Sequence, residues 1–110
     1  MFAKTPTPPY YAVIFTSKRT DVDAAGYAAM ADRMSQLAAE QPGYLGHESA
    51  RDDGVGITVS YWVDEVSLKN WKQVAEHLAG QKIGRERWYS HYETRVCKVE
   101  RAYAGPEGRG

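Results

Sequence analysis

The side chains of this chain that are best suited to chemistry are concentrated between residues 59 and 103. All three Trp, two of the three His and four of the eight Tyr lie in this stretch. Histidine titrates near neutral pH and can act as a general base, so His77 and His91 are candidate bases. The guanidinium of Arg85 is a candidate for holding a developing oxyanion. Aromatic and amide side chains that would contact a flat ligand are Tyr61, Trp62, Trp71, Gln81, Trp88 and Tyr92. The stretch therefore predicts a pocket for a small aromatic or hydrophobic molecule.

Residues 64–82 have the periodicity of an amphipathic helix, with Asp64 as N-cap. One stripe of this helix consists of residues at spacings of three and four, namely Leu68, Trp71, Ala75, Leu78 and Lys82. Trp71 is therefore expected to pack in the core before it serves any ligand. His77 lies off this stripe, which leaves two interpretations open: it faces a cleft at the helix edge, or it is a solvated surface histidine.

The rest of the chain is predicted to supply three further strands and one helix before this segment, with a last strand after it. Residues 10–18 read as a strand that is apolar on both faces, followed by a helix from Asp21 or Asp23 to about Glu40. Residues 44–51 and 56–63 read as a hairpin joined by an Asp-Asp-Gly turn. Residues 91–103 read as a final strand that extends beyond its neighbours.

Composition limits the classes of protein that this chain can be. It has 110 residues, which predicts one domain over residues 10–103, an extended arm over residues 1–9 and a flexible tail over residues 104–110. The 14 basic residues balance the 14 acidic ones, which argues against a nucleic-acid binder or a protein that binds anionic membranes. Cys97 has no partner for a disulfide or a metal site, so we expect a cytoplasmic protein without a bound metal.

The element order strand, helix, strand, strand, helix, strand predicts an α+β fold of the ferredoxin-like type, βαββαβ, with a four-stranded antiparallel sheet. Two helices cover only one face of such a sheet. The other face would expose large apolar residues, so we expect a homodimer in which two sheets pack face to face as a dimeric α+β barrel. We further expect Trp71, His77, Arg85 and His91 to line one cavity with Tyr61 or Trp62.

The segments SYWVDEVSLKNW and KQVAEHLAGQKIGRERWYSHYETRVCKVER resemble the second half of the antibiotic biosynthesis monooxygenase (ABM) domain. YYAVIFTSK and PGYLGHES are similar to its first half, so the resemblance covers residues 10–103. It implies a homodimer of the dimeric α+β barrel superfamily, whose members include cofactor-independent monooxygenases acting on quinols and aromatic polyketides. Haem-degrading members carry an iron-ligating His ten residues after the helix Trp, where this chain has Gln81. The resemblance thus predicts no haem and no other cofactor.

Three functions are compatible with these residues. The first is a cofactor-independent monooxygenase acting on a small aromatic substrate. The second is a non-catalytic binding module for a small hydrophobic metabolite, and the third is a small-molecule isomerase of the same superfamily. A base that contacts the substrate would distinguish the enzymes from the binding module.

Overall fold

Six elements follow one another along the chain in the predicted βαββαβ order. In the computed structural model, which describes residues 2–79 and 88–106, they are β1 (Tyr10–Arg19), α1 (Ala24–Glu40), β2 (Tyr44–Asp52), β3 (Val55–Trp62), α2 (Glu65–Ala79) and β4 (Tyr89–Val99). The strands form one sheet in the order β2-β3-β1-β4, and each neighbouring pair is antiparallel. The ferredoxin-like fold predicted from the sequence is confirmed.

Polar caps and a tight turn set the boundaries of these elements. Asp23 accepts a hydrogen bond from the backbone N–H of Gly26 at 3.2 Å, and Asp64 accepts one from Ser67 at 2.8 Å. Both contacts satisfy N–H groups that the first turn of a helix leaves without a partner. At the β2–β3 hairpin, Asp53 and Gly54 have φ angles of 52° and 81°. Consecutive left-handed residues match the right-handed twist of the paired strands, and the predicted hairpin is confirmed.

The last strand differs from its prediction at both ends. It begins at Tyr89 and ends at Val99, and its register with β1 runs from Arg19–Tyr89 to Tyr10–Val99. The predicted bounds of 91–103 were therefore wrong, and β4 ends level with β1, although with 11 residues it is the longest strand of the sheet. The residue before Tyr10 is Pro9, which has no N–H to continue the ladder.

Alternation along the strands gives the sheet two different faces. The face covered by the helices, here called the helix face, carries Tyr11 and Val13 of β1, and Trp62 of β3. Its core consists of Trp62, Leu68 of α2 and Ala38 of α1, so both helices pack on this side. The opposite face, here called the open face, carries the alternate residues of each strand. Neither helix in the described part of the chain is long and apolar enough to cross a membrane.

We predict different costs for alanine at two glycines that share a left-handed conformation. A Cβ on Gly54 (φ 81°) would lie 4.0 Å from the Arg19 carbonyl oxygen, an ordinary contact, whereas a Cβ on Gly43 (φ 82°) would collide with the Ser67 side chain. Gly54→Ala should lower the free energy of unfolding by about 1–2 kcal/mol through backbone strain alone. Gly43→Ala should lower it further because the collision adds to the same strain. Urea denaturation of both variants measures the difference, and equal losses would contradict the prediction.

Candidate functional site

One wall of the candidate site is a stacked pair of tryptophans. Trp62 is fully buried at the end of β3, and its ring centroid lies 5.9 Å from that of Trp71 at an interplanar angle of 19°. The Trp62 indole N–H donates to the Ser60 hydroxyl at 3.0 Å, which satisfies the polar atom of the buried ring. Trp71 is only partly buried, so part of its ring remains accessible beside the sheet.

A second aromatic wall lies where β1 ends and β4 begins. The Phe15 ring is 5.5 Å from the rings of both Tyr89 and Tyr92. Tyr27 of α1 makes edge-to-face contacts with Trp88 at 6.0 Å and with Tyr89 at 5.8 Å. Trp88 is 6% exposed, whereas Tyr92 is 37% exposed. The second wall therefore has a packed interior around Trp88 and an accessible surface at Tyr92.

The two walls lie at opposite ends of one stretch of the helix face of β1 and β4. Tyr11 packs against the Trp62 core and lies four residues from Phe15 on β1, which separates the walls by about 13 Å. Val13 lies between them, and its register partner on β4 is Val96, which is 53% exposed. Helix α2 contacts β1 and β3. We call this stretch of surface, with Val13 and Val96 between the two walls, the helix-side trough.

Two arginines approach the far side of the second wall. The Arg19 guanidinium carbon lies 3.6 Å from the centroid of the Tyr27 ring, and that of Arg51 lies 5.7 Å from it. Arg51 donates to the Ser17 hydroxyl at 2.8 Å and to the Tyr27 hydroxyl at 3.3 Å. Burial raises the pKa of the Tyr89 phenol well above its ordinary value, and the neighbouring Tyr27 adds to this shift. The Tyr89 phenol of the second wall is thus neutral at physiological pH.

The structure does not bring all the predicted site residues together. His91 lies on the open face, where its Nε2 is 3.1 Å from a carboxylate oxygen of Glu93, and its side chain is 71% exposed. Trp62 and Trp71 lie on the helix face, so His91 shares no cavity with them within the subunit. The sequence left open whether Tyr61 or Trp62 lies beside Trp71. Trp62 faces the helices and Tyr61 faces away from them, so Trp62 is the one beside Trp71.

The remaining predicted residues have varied positions. His77 is exposed on the last turn of α2. Tyr92 lies at the helix-side trough, and Trp88 is buried behind it against Tyr27. Gln81 and Arg85 lie outside the residues that the structure describes.

A phenol–imidazole pair beside Trp62 was not predicted from the sequence. The Tyr44 hydroxyl and His47 Nδ1 are 2.6 Å apart, and the Tyr44 ring lies 5.5 Å from Trp62. Residues three apart on a regular strand face opposite sides of a sheet. Here the register shifts between Tyr44 and Gly46, so both side chains reach the helix face. A glycine within the strand sequence was the only local signal for such a bulge.

The open face combines an apolar centre with polar ends. Ile14, Ile57 and Val59 come from the central strands β1 and β3. At one end, Tyr61 donates its hydroxyl to Glu48 at 2.7 Å, and the backbone N–H of Ala3 donates to the same carboxylate at 3.0 Å. Residues of the predicted N-terminal arm therefore contact the sheet.

At the other end of the open face, a shallow depression of about 160 Å³ has charged walls. Its lining residues are Thr16, Ser17, Lys18, Val55, His91, Glu93 and Arg95. Arg95 and His91 both contact the carboxylate of Glu93, and Arg95 does so at 2.7 Å. All three side chains are more than half exposed, so these contacts contribute little to stability.

Comparison with known proteins agrees with this architecture. The family model described as antibiotic biosynthesis monooxygenase matches residues 9–83. The chain belongs to this family. It is 52% identical over 100 residues to the uncharacterized protein YqjZ of Bacillus subtilis (strain 168), covering 90% of this chain and 87% of that protein. The resemblance stated from the sequence is confirmed.

Solved structures share this fold at low sequence identity. SnoaB of Streptomyces nogalater, described as a cofactor-independent oxygenase, superposes with a TM-score of 0.69 at 15% identity, covering 86% of this chain and 97% of SnoaB. The protein Rv0793 of Mycobacterium tuberculosis superposes with a TM-score of 0.71 at 12% identity, covering 86% and 99%. At such identities the likeness concerns the fold.

We predict that Glu48 contributes to the acid sensitivity of the fold. The Tyr61 hydroxyl and then the Ala3 N–H hold the pKa of this carboxyl below its ordinary value of 4.5. The stabilisation is present above the pKa of the unfolded chain and is lost as pH falls through the lower folded value. Glu48→Gln should therefore lose less stability than the parent protein between about pH 5 and pH 3. Urea denaturation at several pH values measures how the free energy of unfolding changes with pH, and Glu100→Gln, at an exposed position, is the control. The same pH dependence in the parent protein and in Glu48→Gln would refute the prediction.

Proposed function

We propose that this protein is a cofactor-independent monooxygenase that oxidises a small electron-rich aromatic molecule in the helix-side trough. The observation that carries the proposal is the helix-side trough, which has the Trp62–Trp71 pair at one end, the ring cluster with Tyr92 at the other, and Val13 and Val96 between them. Membership of the antibiotic biosynthesis monooxygenase family supports the reaction type. The description of SnoaB as a cofactor-independent oxygenase supports the absence of a cofactor.

The proposed reaction balances without an added reductant. With 1,4-dihydroxybenzene as the simplest substrate, a base removes a phenolic proton and the anion transfers an electron to O₂. The two radicals combine at a ring carbon, and loss of water gives 2-hydroxy-1,4-benzoquinone. One oxygen atom enters the product and the other leaves as water, because the substrate itself supplies both electrons. Apolar walls favour such a reaction since they keep water away from the reactive intermediate.

Among the three histidines, we propose His77 as the base because it lies on α2, the helix that carries Trp71. His47 is the second candidate, since Tyr44 connects it to the Trp62 ring. His91 is assigned no part in proton transfer because it lies on the open face. Arg85 is proposed to hold the oxyanion, and the proposed ligand contacts are those of Trp71 and Tyr92.

A non-catalytic binding module is the second candidate function. It is favoured by the exposed position of His77 and by the placement of His91 away from the trough. Such a module would bind the same aromatic ligands in the trough without consuming O₂. Turnover therefore separates the two functions, whereas affinity does not.

We also propose that two copies pair through their open faces. The apolar residues of this face include Ile57, 47% exposed, and Val55, 45% exposed, on a strand in the middle of the sheet. Exposed apolar patches on a sheet are commonly covered by a partner. Pairing would bury this patch and leave the helix-side trough of each subunit accessible.

A matched histidine series tests the catalytic proposal. With 1,4-dihydroxybenzene, the parent protein should consume O₂ and form 2-hydroxy-1,4-benzoquinone that carries one ¹⁸O atom from ¹⁸O₂. His77→Gln should lower kcat by about 10²–10⁴-fold with little change in affinity, because a base acts mainly in the transition state. His91→Gln should keep the parent rate. Uncatalysed autoxidation of the substrate releases H₂O₂, so O₂ consumption is also measured with catalase present to identify that background. No turnover by the parent protein would support the binding module instead.

A pair of acidic substitutions tests the proposed dimer. Ile57→Asp places a charge at the centre of the open face, and we expect the dimer to dissociate because an unpaired charge would be buried. Val66→Asp makes the same change at a 66% exposed position on α2 and should leave the dimer intact. Light scattering at micromolar concentration gives the masses. A monomeric parent protein, or dissociation by both variants, would argue against pairing through this face.

A further inference from the structure

The two edge strands of the open face carry opposite charges. Glu48 and Asp52 of β2 lie on this face, and in the part of the chain that the structure describes neither carboxylate forms an ion pair. His91 and Arg95 of β4 lie on the same face at the opposite edge of the sheet. Glu93 lies between them, and its carboxylate contacts both. The β2 edge is therefore acidic, and the β4 edge has more basic groups than acidic ones.

The strand register fixes which of these charges lie at the same height along the strands. One row across the sheet, from β2 to β4, consists of Glu48, Val59, Ile14 and Arg95. A second row consists of Asp52, Val55, Lys18 and His91. Each row therefore has a carboxylate at the β2 edge and a basic side chain at the β4 edge, with an aliphatic residue next to the carboxylate.

Two copies of such a sheet can pack face to face about a twofold axis in two ways if their strands stay nearly aligned. With the axis along the strands, each residue keeps its height and β2 lies over β4 of the other copy. Glu48 then faces Arg95 of the partner subunit, Asp52 faces His91 of the partner subunit, and each contact occurs twice. With the axis across the strands, β2 lies over β2 and carboxylates face carboxylates. Like charges that face each other cost affinity, so the charges favour the first arrangement.

We propose that a second copy of this chain docks on the open face with its β4 over β2 and its β1 over β3, about an axis along the strands. This inference rests on the proposed pairing of open faces and adds its orientation. The apolar centre agrees with it, because Val59 then faces Ile14 of the partner subunit. Ile57, which is 47% exposed, faces Thr16 of the partner subunit, so pairing removes its apolar surface from water.

The charged side chains can make these contacts. Packed sheets lie about 10 Å apart and cross at about 30°, which shifts the edge strands by about one residue, and an extended glutamate–arginine pair spans this separation. The two carboxylate oxygens of Glu48 accept one hydrogen bond each, from Tyr61 and from the N–H of Ala3, which leaves a second lone pair on each oxygen. Asp52 would enter the shallow depression of the partner subunit, whose lining includes Lys18.

Charge reversal at each edge, and then at both, tests the orientation. Analytical ultracentrifugation of the full-length protein at low ionic strength gives the dissociation constant of the dimer. Glu48→Lys and Arg95→Glu should each raise it by about tenfold or more, because each creates two like-charge contacts per dimer. The double variant should return it to within about threefold of the parent value, because both contacts become attractive again. Glu76→Lys on α2 and Lys98→Glu on the helix face of β4 are matched controls and should change nothing.

Unchanged dissociation constants in both single variants would overturn the proposal, because an axis across the strands only exchanges one like-charge contact for another. Single-variant losses that the double variant does not recover would also overturn it. If Glu48→Lys does not fold, as judged by circular dichroism, Asp52→Lys with and without His91→Glu repeats the test at the second row. The outcome is separable from that of the proposed pairing. A monomeric parent protein would refute the pairing itself, whereas a dimer that Ile57→Asp dissociates and the charge reversals leave intact would refute only the orientation.

Discussion

Burial of Trp62 is the packing interaction on which both the fold and the candidate site depend. Its ring lies between the sheet and α2, where it stacks on Trp71 and meets Tyr44 edge to face. The same cluster includes Leu68 of α2 and Ala38 of α1. A fully buried indole contributes about 4–6 kcal/mol through the apolar area removed from water. In a small domain this is a large part of the net stability.

This packing also explains why a wall of the trough is rigid. Trp71 is held against a neighbour that cannot move without opening the core, so its accessible surface has a fixed orientation. The second wall is built differently, from several rings at the junction of β1, α1 and β4 that contact one another edge to face. Edge-to-face contacts direct the positive ring edge toward a negative ring face, which restricts the geometry of each ring. Rigid walls lower the entropic cost of binding a flat ligand.

The two faces of the sheet separate charged side chains from aromatic and apolar ones that are neighbours in the sequence of β4. On β4, Tyr92 and Val96 belong to the helix face, whereas His91, Glu93 and Arg95 belong to the open face. The charged group therefore lies where a second copy is proposed to bind, and the aromatic group lies where a ligand is proposed to bind. A single strand serves both purposes because its side chains alternate.

The amino-acid sequence by itself determined the element order, the cap at Asp64 and the hairpin turn at Asp53–Gly54, and it limited the cap of the first helix to Asp21 or Asp23. These features depend on local periodicity and on side chains that bond to the nearby backbone, so they can be identified without knowing the rest of the fold. The separation of each strand into two sets of residues was also predictable. The family was recognisable from segments in both halves of the chain.

Only the tertiary structure decided which set faces the helices. That choice separated Trp62 from Tyr61, and it removed His91 from the cavity expected around Trp71. The Tyr44–His47 pair depends on a shift in strand register, and the hydrogen bond from Arg19 Nε to the Trp88 carbonyl joins residues 69 positions apart. Alternation assigns residues to two faces without identifying either one, because the face that is buried is determined by helix packing across the whole chain.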